Sequence, residues 1–290
     1  MAAGRQRPHR GRLRREQCQS LFAQDDEQAL SHLEGELMNW LQLFTAALSG
    51  GSIVKVFDFL YSEFSRQREN KDTAQKVVAR HIDPILKSAD QLLGHLISLS
   101  EKDLKPMYDK KENNRIELFY TLYLFAHFWA CLLILQKDSI HVNLTNRKEG
   151  RYLLKFISTL TAKRNRLLTR AEQQVIGESL LIDNGEGLTI KSFFNFLQNY
   201  TEENSAIKVW FDPLLILLTS TENKSIRQKV LLYGVILHAL VDNLDSKHSF
   251  IRDRKSYPNK LSQKTRNDIK NRIFSVYLPE VENHEKYWQT

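Results

Sequence analysis

Two stretches of the chain carry no charged side chain, Leu37–Val54 and Leu118–Gln136. Each has the length at which a bilayer span and a buried core helix diverge, since a spanning helix needs roughly 20 predominantly apolar residues. Composition must decide between the two, and the decision sets the class of the fold. The run Leu118–Leu135 holds Tyr120, Tyr123, His127 and Trp129 in its middle. Membrane spans keep Tyr and Trp at the interfaces and an aliphatic centre. Polar-tipped aromatics in mid-segment instead suit the central helix of a bundle, with hydroxyls and imidazole paired to neighbouring helices.

Leu37–Val54 is less apolar, with Asn39, Gln42, Thr45, Ser49 and Ser52 inside it. Asp25, Asp26, Glu27, Glu34 and Glu36 precede it, and Lys55, Arg66, Arg68 and Lys71 follow. If this segment spans a bilayer, the positive-inside rule puts the body of the protein in the cytoplasm. A second reading lays residues 38–61 in a membrane interface with Trp40 and Phe44 touching lipid. The third packs the helix on the core or on a second copy of the chain.

Glycine (11) and proline (6) are scarce in 290 residues, against usual contents of about 7% and 5%. That favours long helices over a turn-rich β fold. The expected fold is all-α, an irregular multi-helix bundle around a buried central helix at about 116–136. The domain reading is a disordered basic tail over 1–37, an amphipathic or membrane-associated helix over 38–64, and one helical domain over 73–290. Met38 opens the first sustained apolar run and reads as an alternative start.

Within the domain, Ser62–Asp72 reads as a charged connector and Thr73 as the cap of a short helix through Arg80. Asp83-Pro84 pairs a capping residue with proline at the first helical position. Ile85, Leu86, Ala89, Leu92, Leu93, Leu96, Ile97 and Leu99 then fall on one side of an amphipathic helix. Asp212-Pro213 repeats the device before Leu214–Leu218. Ser225–Leu244 reads as a long helix, and Ser262 caps a last one. Asp183-Asn184-Gly185-Glu186-Gly187 is the strongest turn signal, and its flanks, Leu180–Ile182 and Leu188–Ile190, suit a minimal hairpin near 180–190.

The formal net charge of +8 is unevenly placed. Residues 1–15 hold six arginines and no acid, and Lys247–Arg272 holds nine Lys/Arg against Asp253 and Asp268. A surface coated for nucleic acid is not what this shows. Arg252, Arg254, Lys255, Lys260, Lys264 and Arg266 are the candidates for weak contact with phosphate, on nucleic acid or anionic lipid. Lys163, Arg166 and Arg170 would share a helix face.

Catalytic signatures are missing. No Gly-Lys step occurs for a P-loop, and there is no His-Asp dipeptide, Glu-x-x-His, His-Glu-x-x-His or GxSxG. Cys18 and Cys131 are the only cysteines and lie far apart. This excludes a disulfide framework and suits a reducing compartment. One cluster has metal-ligand character. His238, Asp242 and Asp245 share a helical stripe and His248 lies just beyond, a set that suits zinc, iron or manganese in a hydrolase. The competing view is a polar stripe, Arg227, Gly234, His238, Asp242 and Asp245, that faces water.

The reading is therefore a non-enzymatic helical association protein of the cytoplasm, with no cofactor. It binds a protein partner or its own copy, and docking through 38–61 would make it peripheral to the cytoplasmic face of a membrane. The alternatives are the metal-dependent hydrolase and a nucleic-acid binder acting through 247–272.

Overall fold

The structure is a computed structural model that describes residues 53–109, 115–185, 187–202 and 205–290, with side chains from residue 72 on, Asn146 excepted. The readings of residues 1–37 and 38–52, including Trp40, Phe44 and Met38, lie outside the described residues. The chain divides into two units, Met1–Gln67 and Arg68–Thr290. In the first, the described backbone from residue 53 on is helical. The second is an all-α assembly with one small hairpin.

Helix α1 spans Ile53–Glu101 without a break. The expected connector at Ser62–Asp72 is helix, because all its charged residues but Asp72 are Glu, Lys and Arg, good helix formers, and it holds no Gly or Pro. Pro84 sits inside α1 rather than opening it. An interior proline costs roughly 3 kcal/mol. Burial of Ile85, Leu86, Leu92, Leu93, Leu96 and Leu99 on the following turns, at about 1.5–3 kcal/mol for each large side chain, outweighs that cost. A single turn, α2 (Lys105–Tyr108), follows a tight reversal in which Asp103 and Leu104 take left-handed φ values of 54° and 57°.

Helix α3, Arg115–Asp138, is the centre. It is the one helix among the described residues long and apolar enough to cross a membrane, and 67% of its most apolar window is buried in protein. Thr121, Leu122, Leu124, Phe125, Phe128, Trp129 and Leu135 are buried, and Ala126 and Ala130 widen the buried face to most of the circumference, the pattern of a core helix. Its polar tips find partners as expected in two cases. Trp129 Nε1 donates to Tyr233 Oη at 3.0 Å, and Tyr123 Oη to the Lys191 carbonyl at 3.0 Å. Tyr120 lies nearer the surface, and His127 Nδ1 has no partner.

Around α3 stand α4 (Lys148–Thr161), α5 (Arg170–Glu178), α6 (Phe193–Thr201), α7 (Ile207–Thr219) and α8 (Lys224–Leu244). α5 is fixed by a capping box in which Thr169 Oγ1 accepts the Glu172 N–H while Glu172 accepts that of Thr169. Between α5 and α6, β1 (Leu181–Asp183) pairs antiparallel with β2 (Leu188–Ile190), Ile182 opposite Thr189. Gly185 at φ 81° and Gly187 at φ 142° supply the positive φ of the turn. α7 begins at Ile207, not at Asp212, and carries Pro213 inside it. Packing again outweighs the proline, with Phe211, Leu214 and Leu218 buried around it. Lys163 and Arg166 fall in the turn between α4 and α5, so they share no helix face with Arg170. Buried Asn165 holds that turn through Nδ2 to the Thr159 carbonyl.

α8 is buried continuously from Val230 to Val241. A basic loop then leads to α9 (Gln263–Asp268), capped by Ser262, and on to a π-helical segment, Ile269–Tyr277. The last turn, His284–Tyr287, buries Tyr287 beside the carboxyl end of α8.

Candidate functional site

The chemistry-bearing residues gather where α8 ends. The last two turns of this helix put His238 and Asp242 on one stripe, Asp245 follows at its end, and the stripe does not face water. His238 is 2% exposed and Asp245 6%. Gly234 is also buried, and a Cβ there would collide with the Tyr257 hydroxyl, which donates to the Leu231 carbonyl at 2.9 Å.

The four candidate ligands split into three separate arrangements. His238 Nε2 lies 3.7 Å from Asp242 Oδ2, and the same oxygen accepts Tyr287 Oη–H at 2.5 Å and the Lys286 ammonium at 2.5 Å. Asp245 turns away to cap the loop, its oxygens accepting the backbone N–H groups of Ser249, Phe250 and Ile251 at 2.9, 2.8 and 2.9 Å. His248, at φ 48°, approaches Asp253 at 3.5 Å. Among the described residues no three His, Cys, Asp or Glu side chains converge as a metal site would require.

Burial sets the protonation of these groups. It pushes the His238 imidazole below its ordinary value, and the opposing pull of Asp242 is smaller. Burial raises the Asp245 carboxyl, but the three amide donors together outweigh it and hold the group below the carboxylate range. Burial and the adjoining Asp242 carboxylate raise the Tyr287 phenol, so it stays a donor.

A cavity of about 470 Å³ opens against this helix end. Its walls come from the start of α4 (Lys148, Glu149, Tyr152), the end of α8 (Asp242, Asn243) and the carboxy-terminal segment (Glu280, Glu282, Lys286, Tyr287), with His248 at the loop. Asp242 Oδ1, Asn243 Nδ2 and His248 Nδ1 are buried without a hydrogen-bond partner, as is His238 Nε2 behind them. Buried polar atoms are normally paired, so four orphans beside one cavity call for a cause.

The six basic candidates divide. Arg254 donates from Nε and Nη2 to Asp90 Oδ1 and Oδ2 at 2.5 and 2.9 Å. This fork has room because residue 94 is glycine; a Cβ there would lie 2.6 Å from the guanidinium. Lys260 reaches Asp103 and the Glu101 carbonyl at 3.3 Å each, and Arg266 reaches Thr290 at 3.3 Å. Arg252, Lys255 and Lys264 are exposed. Between Lys247 and Arg252, Phe250 stands 82% exposed.

Sequence patterning did not anticipate two features. One is the closure of the α8 end by Lys286 and Tyr287, for which the aromatic pair Tyr287-Trp288 after Pro279 was the available signal. The other is a bare apolar face on α7, with Val209 65%, Trp210 52% and Ile216 63% exposed. The chain matches no protein-family model, no curated protein and no solved structure.

Proposed function

We propose that this chain is a non-enzymatic association protein of the cytoplasm that pairs with a second copy of itself through the outer face of α7. One observation carries the reading: α7 is apolar except at Lys208, Asp212 and Thr219, yet it is packed on one side only. Phe211, Leu214 and Leu218 point inward, while Val209, Trp210 and Ile216 face solvent, with Phe194 of α6 71% exposed as well. Clustered exposed apolar groups on a helix mark contact sites. The outer strip is also suited to itself. Val209, Pro213 and Ile216 are spaced almost evenly about Pro213, so an antiparallel copy sets Val209 against Ile216 with Pro213 near the axis, as an isologous interface requires. Lys208 and Asp212 balance in charge, so no partner of opposite sign is called for.

Sedimentation equilibrium over a wide concentration range tests this. The expected result is a reversible monomer–dimer equilibrium that Val209→Glu/Ile216→Glu abolishes while the monomer stays folded. A chain that is monomeric at every concentration, or a dimer indifferent to these changes, overturns it.

A second reading has its own observation. Phe250 projects from a loop tied down by Asp245, amid Lys247, Arg252 and Lys255. An exposed aromatic ringed by cations suits an anionic membrane surface. Co-flotation with vesicles containing phosphatidylserine, weakened by Phe250→Ala and by salt, is the expected behaviour; indifference to both counts against it.

A further inference from the structure

We infer that the cavity at the carboxyl end of α8 is a binding site for a small organic cation bearing a primary amine. This goes beyond self-association and does not depend on it. The cavity's volume, about 470 Å³, lies within the usual range of small-molecule sites, roughly 300–1,000 Å³. Its rim is acidic, since Glu149, Asp242 and Glu282 outnumber Lys148 and Lys286, while Glu280 is paired with Lys155.

The carboxylate at its base is half used. Asp242 Oδ2 takes both Tyr287 and Lys286, whereas Oδ1 is buried and accepts nothing. Lys286 is itself an ammonium on this carboxylate and shows the geometry that such a group adopts there. Behind it, His238 is almost wholly enclosed, with Nε2 unpartnered and turned toward Asp242. Nε2 makes no hydrogen bond, the nearest Asp242 oxygen lying 3.7 Å away. An alkylammonium brings N–H donors, and the orphaned Asp242 Oδ1 supplies the complement.

The aromatic walls agree. Lys148 Nζ sits 5.6 Å from the centre of the Tyr152 ring and Lys286 Nζ 5.1 Å from that of Tyr287. Both are within the range in which a ring face attracts a cation. The site thus offers an unpartnered carboxylate oxygen, the half-buried Tyr152 ring and a carboxylate rim, with Asn243 Nδ2 as a donor for a ligand that also carries an oxygen.

Isothermal titration of the full chain with 1,4-diaminobutane, at constant ionic strength, tests the inference, with 1,4-butanediol as the neutral isostere. The expected result is saturable binding and a raised Tm with the diamine only. Asp242→Asn should weaken it at least tenfold. Because Asp242 also holds Tyr287 and Lys286, a rim variant, Glu149→Gln/Glu282→Gln, serves as the second measure. It should weaken binding several-fold with the ligand-free Tm unchanged. Absence of saturable binding, equal binding of the diol, or a rim variant that binds like the parent chain overturns the assignment.

Discussion

The middle of α8 and its carboxyl end handle buried polarity in opposite ways. Where α3 meets α8, Trp129 and Tyr233 are deeply enclosed, and the indole N–H donates to the phenol oxygen. Two turns further along α8, His238, Asp242 and Asn243 are enclosed as well, yet each keeps an atom unpaired. One helix therefore serves a finished core at its middle and an unfinished one at its end. A buried donor or acceptor left without a partner costs about 1–3 kcal/mol. A region that carries several such costs beside a cavity is built for something other than stability.

The largest effect should come from breaking the finished region. Phe125 is fully buried in α3, so Phe125→Asp would bury a lone carboxylate at a cost of several kcal/mol. That is comparable to a total stability of about 5–15 kcal/mol, and circular dichroism should show loss of the fold. A folded, cooperative variant would contradict the central place of α3.

Tyr233→Phe is the finer cut. It keeps the ring and strands the Trp129 indole N–H, with an expected loss of about 1–3 kcal/mol in urea unfolding. A change under about 0.5 kcal/mol would mean that the middle of α8 tolerates orphans as readily as its end, and the contrast would dissolve.

Acid should weaken both regions together. Burial lowers the His95, His127 and His238 imidazoles below their ordinary value. For each, the unfolded chain takes up its proton first, near pH 6.5. Stability is then full above that point and falls as the pH drops from there toward the lower folded-state value. The urea midpoint should decline from pH 7.5 to 5.5. His238→Gln should flatten part of the decline, and a midpoint that rises on acidification would refute the assignment.

The smallest effect should come from repairing the unfinished end. Asn243→Leu removes an orphaned amide, and replacing an unsatisfied polar group by an apolar one is close to neutral or favourable. Tm should hold or rise slightly, and binding of the diamine, which has no oxygen for the amide to donate to, should be unchanged. A clear drop in Tm would show that Asn243 contributes to stability and is not a stranded group.

What the sequence disclosed follows the same division. The mid-segment aromatics of α3, the Asp183-Asn184-Gly185 turn and the Ser262 cap are decided within a few residues, so they could be read directly. Pro84 and Pro213 misled, because a local rule places proline at a helix start and long-range packing overrode it. The site needed partners far along the chain. Asp90 meets Arg254 across 164 positions, and Asp242 meets Tyr287 across 45. No periodicity encodes such pairs. The residues His238, Asp242 and His248 were recognisable as chemically able, but Asp245 was spent on the loop and the polar stripe was buried.

The Asp245 clasp has a consequence for how the chain meets a protease. Lys247, Arg252 and Lys255 present three tryptic bonds on an exposed loop, ordinarily the first place to be nicked. Cleavage requires the backbone to leave its fold locally, and here three amide bonds to a single carboxylate must open at once. The rate of nicking therefore reports the rare opened population of the loop rather than its exposure. Asp245→Ala should turn a resistant loop into the preferred cleavage site without altering any residue that trypsin recognises.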